Sequence, residues 1–239
     1  MAPVKDQAYA VAVIGDIVNS RDHNRTALHE HLTSALNAIQ TPSHERLHPT
    51  VGDEIQGVFA THGDALRATH ILRLHLREHD IDIRFGIGAG EIRIIDEDAG
   101  IQDGSAWWAA REALERTEEL AQTSGFSGIR TGLSAATSEN KKSDGRRATV
   151  GTQAPQGNDT PPPEALCHLI DAHVSALKGG ACGSLRGILE GESNGDTAAR
   201  LGISPSANTQ RIMRHDLRPL AEAMRATWLS NTPAARPER

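Results

Sequence analysis

A chain of 239 residues with 38% hydrophobic content can bury one large core or two ordinary ones, and its net charge of −6 excludes a protein that grips nucleic acid or anionic lipid over its whole surface. No run of eighteen apolar residues occurs and Met1 to Ala10 lacks the apolar segment of a secretory signal, so the sequence predicts no membrane partner and a cytoplasmic location. Two cysteines, Cys167 and Cys182, form neither a disulfide framework nor a CxxC pair, and the twelve histidines show no zinc spacing.

The acid lies in front. Met1 to Thr137 carries 12 basic and 20 acidic residues, whereas Glu164 to Arg239 carries 9 and 8. The first predicted element is a strand over Ala8 to Val18, whose β-branched run suits a buried central position. A helix follows from about Arg25 to Ile39, with Leu28, Leu32, Ala35, Leu36 and Ile39 on one face. The stretch LHPTVGDEIQGVFA reads as two strands meeting at Gly52-Asp53-Glu54. Then come a helix over Gly63 to Glu78, the strand IDIRFGIGAGEIRII, a helix over Ser105 to Thr123 and a short strand near Ile129 to Leu133. His75 and His79, at i, i+4 spacing on the second helix, read as a solvated face, with a metal pair as the alternative. The order is β-α-β-β-α-β with an added helix and strand, which predicts an α/β (α+β) fold, a ferredoxin-like palm with the first strand central.

In that topology Asp16, at the carboxyl end of the first strand, and Asp53, at the hairpin tip, face each other on neighbouring strands. Two carboxylates so close call for a cation, and Mg²⁺ or Mn²⁺ accepts two carboxylates with water and phosphate completing its shell. Ordinary turn chemistry is the alternative, because Asp and Gly are common hairpin residues and Asp16 is also placed to cap the next helix. Glu54 points either into the same patch or away from it, since adjacent strand residues face opposite sides.

The segments AVIGDIVNSR, VGDEIQGVF, RFGIGAGEI and DGSAWWAAREAL, in this order, resemble the SatD family across roughly the first 130 residues. The same segments are similar to a divergent class III nucleotidyl-cyclase or GGDEF-type palm. That resemblance implies a metal role for Asp16 and Asp53, and it puts the turn Ile17, Val18, Asn19, Ser20 and Arg21 under phosphates, where N–H groups at a helix start favour an anion. It also matches Arg111 to an arginine that steadies phosphate charge; pairing with Glu115 at i+4 is the alternative for that residue. Two positions depart from the cyclase pattern. Trp107 stands where the resemblance expects a catalytic asparagine and Pro49 where it expects a purine-selecting lysine, and neither side chain supplies the same donors and acceptors. No catalytic residue is therefore assigned. A homodimer is implied by the resemblance alone.

Gly86, Gly88 and Gly90 alternate along one strand and leave a trench on one face, to be filled by close helix packing or by a flat ligand. Of Trp107 and Trp108, at least one is expected in the core, leaving the other to cover the trench.

From Ser138 to Pro163 the sequence is polar, Pro- and Gly-rich and without apolar periodicity, which predicts a flexible linker between a palm domain at 1–137 and a helical domain at 164–239. Beyond it, Leu166, Leu169, Ile170, His173, Val174 and Leu177 mark one amphipathic helix, and Leu185, Ile188 and Leu189 a second that ends near Gly191. In GDTAARLGISPSANTQRIMRHDL, Asp196 or Thr197 starts a short helix, Gly202 makes the turn and Ser204 caps a longer helix with Pro205 at its first position. This helix-turn-helix resembles region 4 of sigma factors and response-regulator modules. Ser206, Asn208, Thr209, Gln210, Arg211 and Arg214 then lie on or near the helix that would enter the major groove of double-stranded DNA. Asn208 falls where such helices carry an apolar core residue, which implies a shifted register or partial solvation.

Taken together, these readings lead to a bacterial transcription regulator of the SatD type that binds a metal and a nucleotide-like small molecule in the palm and DNA through the helical module. A divergent nucleotidyl cyclase or other two-metal phosphoryl-transfer enzyme is one alternative, and an inactive interaction scaffold the other.

Overall fold

A computed structural model describes residues 8–39, 46–50, 53–96, 101–135 and 162–229. At its centre lies β1 (Ala8–Ile17), antiparallel to β3 (Glu54–Phe59) on one side and to β4 (Ile83–Asp96) on the other. A two-residue β2 (His48–Pro49) extends the sheet beyond β3, and β5 (Ile101–Asp103) pairs back on the far half of β4. The last strand, β6 (Thr131–Ala135), runs parallel to the near half of β4. The order β2-β3-β1-β4 is the expected split βαβ arrangement. Only β5 is absent from the sequence reading, because three residues are too few to show a period.

Alternation along β1 sends side chains to two layers. Val11, Val13 and Ile17 join Ile55, Phe59, Ile83 and Phe85 beneath α1 (Arg25–Ala38) and α2 (His62–Arg77). Ala10, Ala12 and Ile14 face the opposite layer, α3 (Ser105–Ala121), through its Ala106, Ala110 and Leu114. These contacts explain the glycine row. A Cβ on Gly86 or Gly88 would collide with the Ala110 backbone, and one on Gly90 would lie 2.5 Å from the Ala106 nitrogen, so the trench is occupied by α3 itself. Trp108 consequently has nothing to cover and is 58% exposed, while Trp107 packs against this layer.

Five helices follow: α4 (Pro162–Ala176), α5 (Gly179–Glu190), α6 (Asn194–Arg200), α7 (Pro205–Arg214) and α8 (Leu217–Trp228). The linker expected over 138–163 lies outside the described residues up to 161, and helix α4 starts at Pro162, two residues before the sequence boundary. Helix α6 also starts early: Ser193, rather than Asp196 or Thr197, is its N-cap and accepts the Asp196 N–H at 3.1 Å.

The helical part is seated on α2, which contributes to two cores. Leu66, Leu72 and Leu76 face the sheet, while Ile71 and Leu74 enter a cluster with Ile170, Val174, Leu185, Leu217 and Met224. A buried ionic network closes the same joint. Arg73 of α2 donates to Asp171 of α4 at 2.7 Å, to Asp82 at 2.9 Å and to the Ser175 hydroxyl at 2.7 Å. Asp171 also accepts the N–H groups of Arg130 (2.8 Å) and Thr131 (2.7 Å), and Arg130 donates to Asp82 at 2.9 Å. Nearby, Glu164 accepts from Arg116 at 2.7 Å and from the Leu133 N–H at 2.8 Å, tying the start of α4 to β6.

Candidate functional site

Asp16 ends the row of β1 side chains that face α3, and the register sets it opposite Glu54 on β3 and Arg84 on β4. Asp53 immediately precedes β3, and Glu118 lies in the last part of α3. Asp16, Asp53 and Glu118 line one cavity of about 690 Å³, together with Ile17, the turn from Asn19 to Asp22, Arg25 and Leu28. The cavity thus brings together the two aspartates singled out in the sequence and adds Glu118. Burial pushes the half-buried Asp16 carboxyl above its ordinary range, and the Asp53 charge pushes it further; Arg84 opposes this, while Glu118 and Glu54 add to it.

The remaining residues assigned to the palm site divide. Asn19, Ser20 and Arg21 line the cavity, as does Ile17, although the Ile17 side chain is buried in the sheet core. Val18 does not line it, and its N–H donates to the Asp82 carbonyl at 2.9 Å. Asn19 adopts a left-handed conformation (φ 54°) that turns the chain into a short 3-10 helix, Ser20–Asp22. The start of α1 is closed to an anion, because the Asn24 side chain caps it by accepting the N–H groups of Thr26 (3.0 Å) and Ala27 (3.1 Å). Glu54 shares the face of Asp16, but its carboxylate is engaged by Arg111 at 2.8 Å and by Gln56 at 2.8 Å. Arg111 therefore pairs across elements with Glu54 rather than along its helix with Glu115.

Among the described residues no group of three or more His, Cys, Asp or Glu is arranged to hold a metal ion, so the cavity offers at most a pair of carboxylates to one. Two carboxylates suit Mg²⁺ or Mn²⁺, which take their remaining ligands from water and phosphate. His75, on α2, lies 3.5 Å from Glu190, and His79, two residues beyond the helix, stacks on His31 with ring centroids 3.8 Å apart.

The sequence reading missed Arg84 and Glu118. The Arg84 guanidinium lies 3.8 Å from Asp16 and 3.2 Å from Glu118. Its position in IDIRFG is visible as a charge in an apolar strand, but its partner across the sheet depends on register, which no local pattern reveals.

In the helical part, Gly202 takes the turn with φ +65°, and Ser204 caps α7 with Pro205 first, as the sequence predicts. Asn208 corrects the expectation of solvation or slipped register. It is fully buried and satisfied: its carbonyl accepts the Ser184 hydroxyl at 2.6 Å and its amide donates to the Asn194 side chain at 2.9 Å. Arg211 also turns inward, donating to the Gly180 carbonyl at 2.8 Å. Ser206, Gln210 and Arg214 are exposed at spacings of four residues, with Thr209 exposed beside them and Met213 73% exposed.

No curated protein matches the chain. The structure of a bacterial light-regulated adenylyl cyclase is similar at 13% identity and a TM-score of 0.34, over 48% of this chain and 41% of that one, a likeness too slight to carry a functional argument. The chain thus corresponds to less than half the length of that solved structure. Residues 10–127 match the SatD family model, a span that holds β1 with Asp16, the hairpin with Asp53 and helix α3 with Glu118. Over this domain the chain matches the SatD family.

Proposed function

We propose that the protein is a regulator that takes up a divalent cation with a phosphate-bearing, nucleotide-like ligand in the palm cavity and contacts double-stranded DNA through α7. The observation that carries the first half is the convergence of Asp16 and Asp53 on one cavity, with the Asp16 carboxyl held above its ordinary range by burial and by its neighbour's charge. Ionising both is costly until a cation shares them. When bound, Mg²⁺ or Mn²⁺ would neutralise that pair and present open coordination positions to phosphate oxygens. Arg21 and Arg25, which line the same cavity, are suited to receive further phosphate charge.

The second half rests on the exposed row of Ser206, Thr209, Gln210 and Arg214 along α7. Glutamine has the donor and acceptor to read adenine, and arginine reads guanine or holds phosphate. Arg211 and Asn208 support this helix from within and leave the DNA-facing set.

Two measurements test the reading. A nucleoside triphosphate with Mg²⁺ or Mn²⁺ should raise the melting temperature of the full chain, and combined Asp16→Asn and Asp53→Asn should abolish that rise; a wild-type protein indifferent to all four ribonucleoside triphosphates removes the ligand half. Product formation in the same incubations would replace a binding protein with a two-metal enzyme, against which Trp107 and Pro49 already weigh. For DNA, Arg214→Ala should weaken duplex binding and lower the salt slope by about 1. No retardation of any duplex at low salt removes this half.

A further inference from the structure

Arg84 differs from an ordinary buried arginine in how loosely it is held. It is 8% exposed, yet one terminal nitrogen lies 3.8 Å from Asp16 and 3.2 Å from Glu118, and its Nε is buried with no hydrogen-bond partner. Good charge-assisted bonds are about 2.7–2.9 Å long. A buried guanidinium with an unanswered Nε, held at a distance from two carboxylates that line the cavity, has an incomplete partner set.

Its place matters because Asp16 is also where a cation would sit. A divalent ion on Asp16 would stand close to a fixed positive charge, so Arg84 and the ion compete for one carboxylate. A phosphate group reverses the sign of that contest. It brings negative charge to the ion and to the field around the guanidinium, so the ion no longer has to displace a counter-charge unaided.

Resting on the cavity reading above, we propose that Arg84 is the specificity-determining residue of this site: a resident counter-ion that discourages a bare divalent cation and favours one that arrives with a phosphate-bearing ligand. Arg84 makes the metal and the phosphate depend on one another. The palm then answers to the metal–phosphate complex and not to the free cation level.

The test is calorimetric titration of the full chain with Mn²⁺ alone, and with Mn²⁺ in the presence of inorganic tripolyphosphate, after subtraction of Mn²⁺ binding to the tripolyphosphate itself. Wild-type protein should bind Mn²⁺ more tightly with tripolyphosphate present; equal affinity overturns the proposal without any substitution. Arg84→Gln should bind bare Mn²⁺ about tenfold more tightly than wild type and lose most of the tripolyphosphate advantage, and Arg84→Lys, which keeps the charge, should stay closer to wild type. If Arg84→Gln melts too early to titrate, Arg84→Met preserves the buried stem and gives the same readout. An Arg84→Gln protein that binds bare Mn²⁺ no more tightly than wild type, while Asp16→Asn still abolishes binding, overturns this proposal and leaves the cavity reading standing. Failure of wild-type protein to bind Mn²⁺ under either condition removes both.

Discussion

Two arginine–carboxylate clusters lie at opposite layers of the same fold and are built to different rules. At the joint between the palm and the helices, Arg73 donates through three nitrogens to Asp82, Asp171 and Ser175, and the carboxylate of Asp171 is filled by backbone N–H groups from Arg130 and Thr131. Arg84 reaches the cavity-lining Asp16 and Glu118 at longer distances and keeps an idle Nε. The difference teaches how to sort buried charge. The Asp171 carboxylate has its contacts supplied within the chain and holds the fold together, whereas Asp16 stands on a cavity with its arginine 3.8 Å away.

The comparison breaks or sharpens on three measurements. The largest effect should come from Asp171→Ala, which strips the buried Arg73 guanidinium of a partner and leaves the N–H groups of Arg130 and Thr131 unanswered. A loss of about 3–5 kcal/mol is expected in urea unfolding, and a loss below 1 kcal/mol would mean that the joint is not the structural cluster described here.

Acid should find the same joint. Burial alone would raise the Asp82 carboxyl, but the adjacent Arg73, with Arg130 behind it, brings it down to about 2 against an ordinary 3.8. The folded value lies below the unfolded one, so this stabilisation is complete above the unfolded value and is lost as pH falls from 3.8 to about 2. Melting temperature should drop across that window by the equivalent of about 2 kcal/mol, and Asp82→Asn should flatten the drop.

The smallest effect has the opposite sign. Asp16 is raised, so its ionised form costs stability as pH climbs past the ordinary aspartate value, and the cost is complete above the folded value. Asp16→Asn should therefore stabilise the ligand-free protein at neutral pH by less than about 1 kcal/mol, given the solvent open to it, and the gain should vanish in acid. A destabilised Asp16→Asn protein would move Asp16 into the structural class with Asp171.

Much of the palm was legible because its signals are local. The β-branched run of β1, the alternating glycines and the Ser204-Pro205 cap each state a backbone preference within a few residues, and each element formed where those preferences pointed, while the turn expected at Gly52 lies outside the described residues. The two aspartates were legible for the same reason, since each lies at the end of a local element: Asp16 is next to last in β1 and Asp53 immediately precedes β3.

The departures share one cause. Asn208 looked like a misplaced amide until Ser184 and Asn194, from other helices, supplied its partners, and Arg211 looked like a DNA contact until Gly180 came within reach. Trp108 was a candidate cover for a trench that α3 fills with its own backbone. The sequence by itself determined the order of strands and helices, the turn residues and the acidic character of the palm, because those follow from periodicity, caps and composition. Only the tertiary structure decided that Arg84 stands against Asp16, that Arg111 is taken by Glu54 and that α2 serves two cores, because strand register and helix docking bring together residues whose separation along the chain carries no local signal.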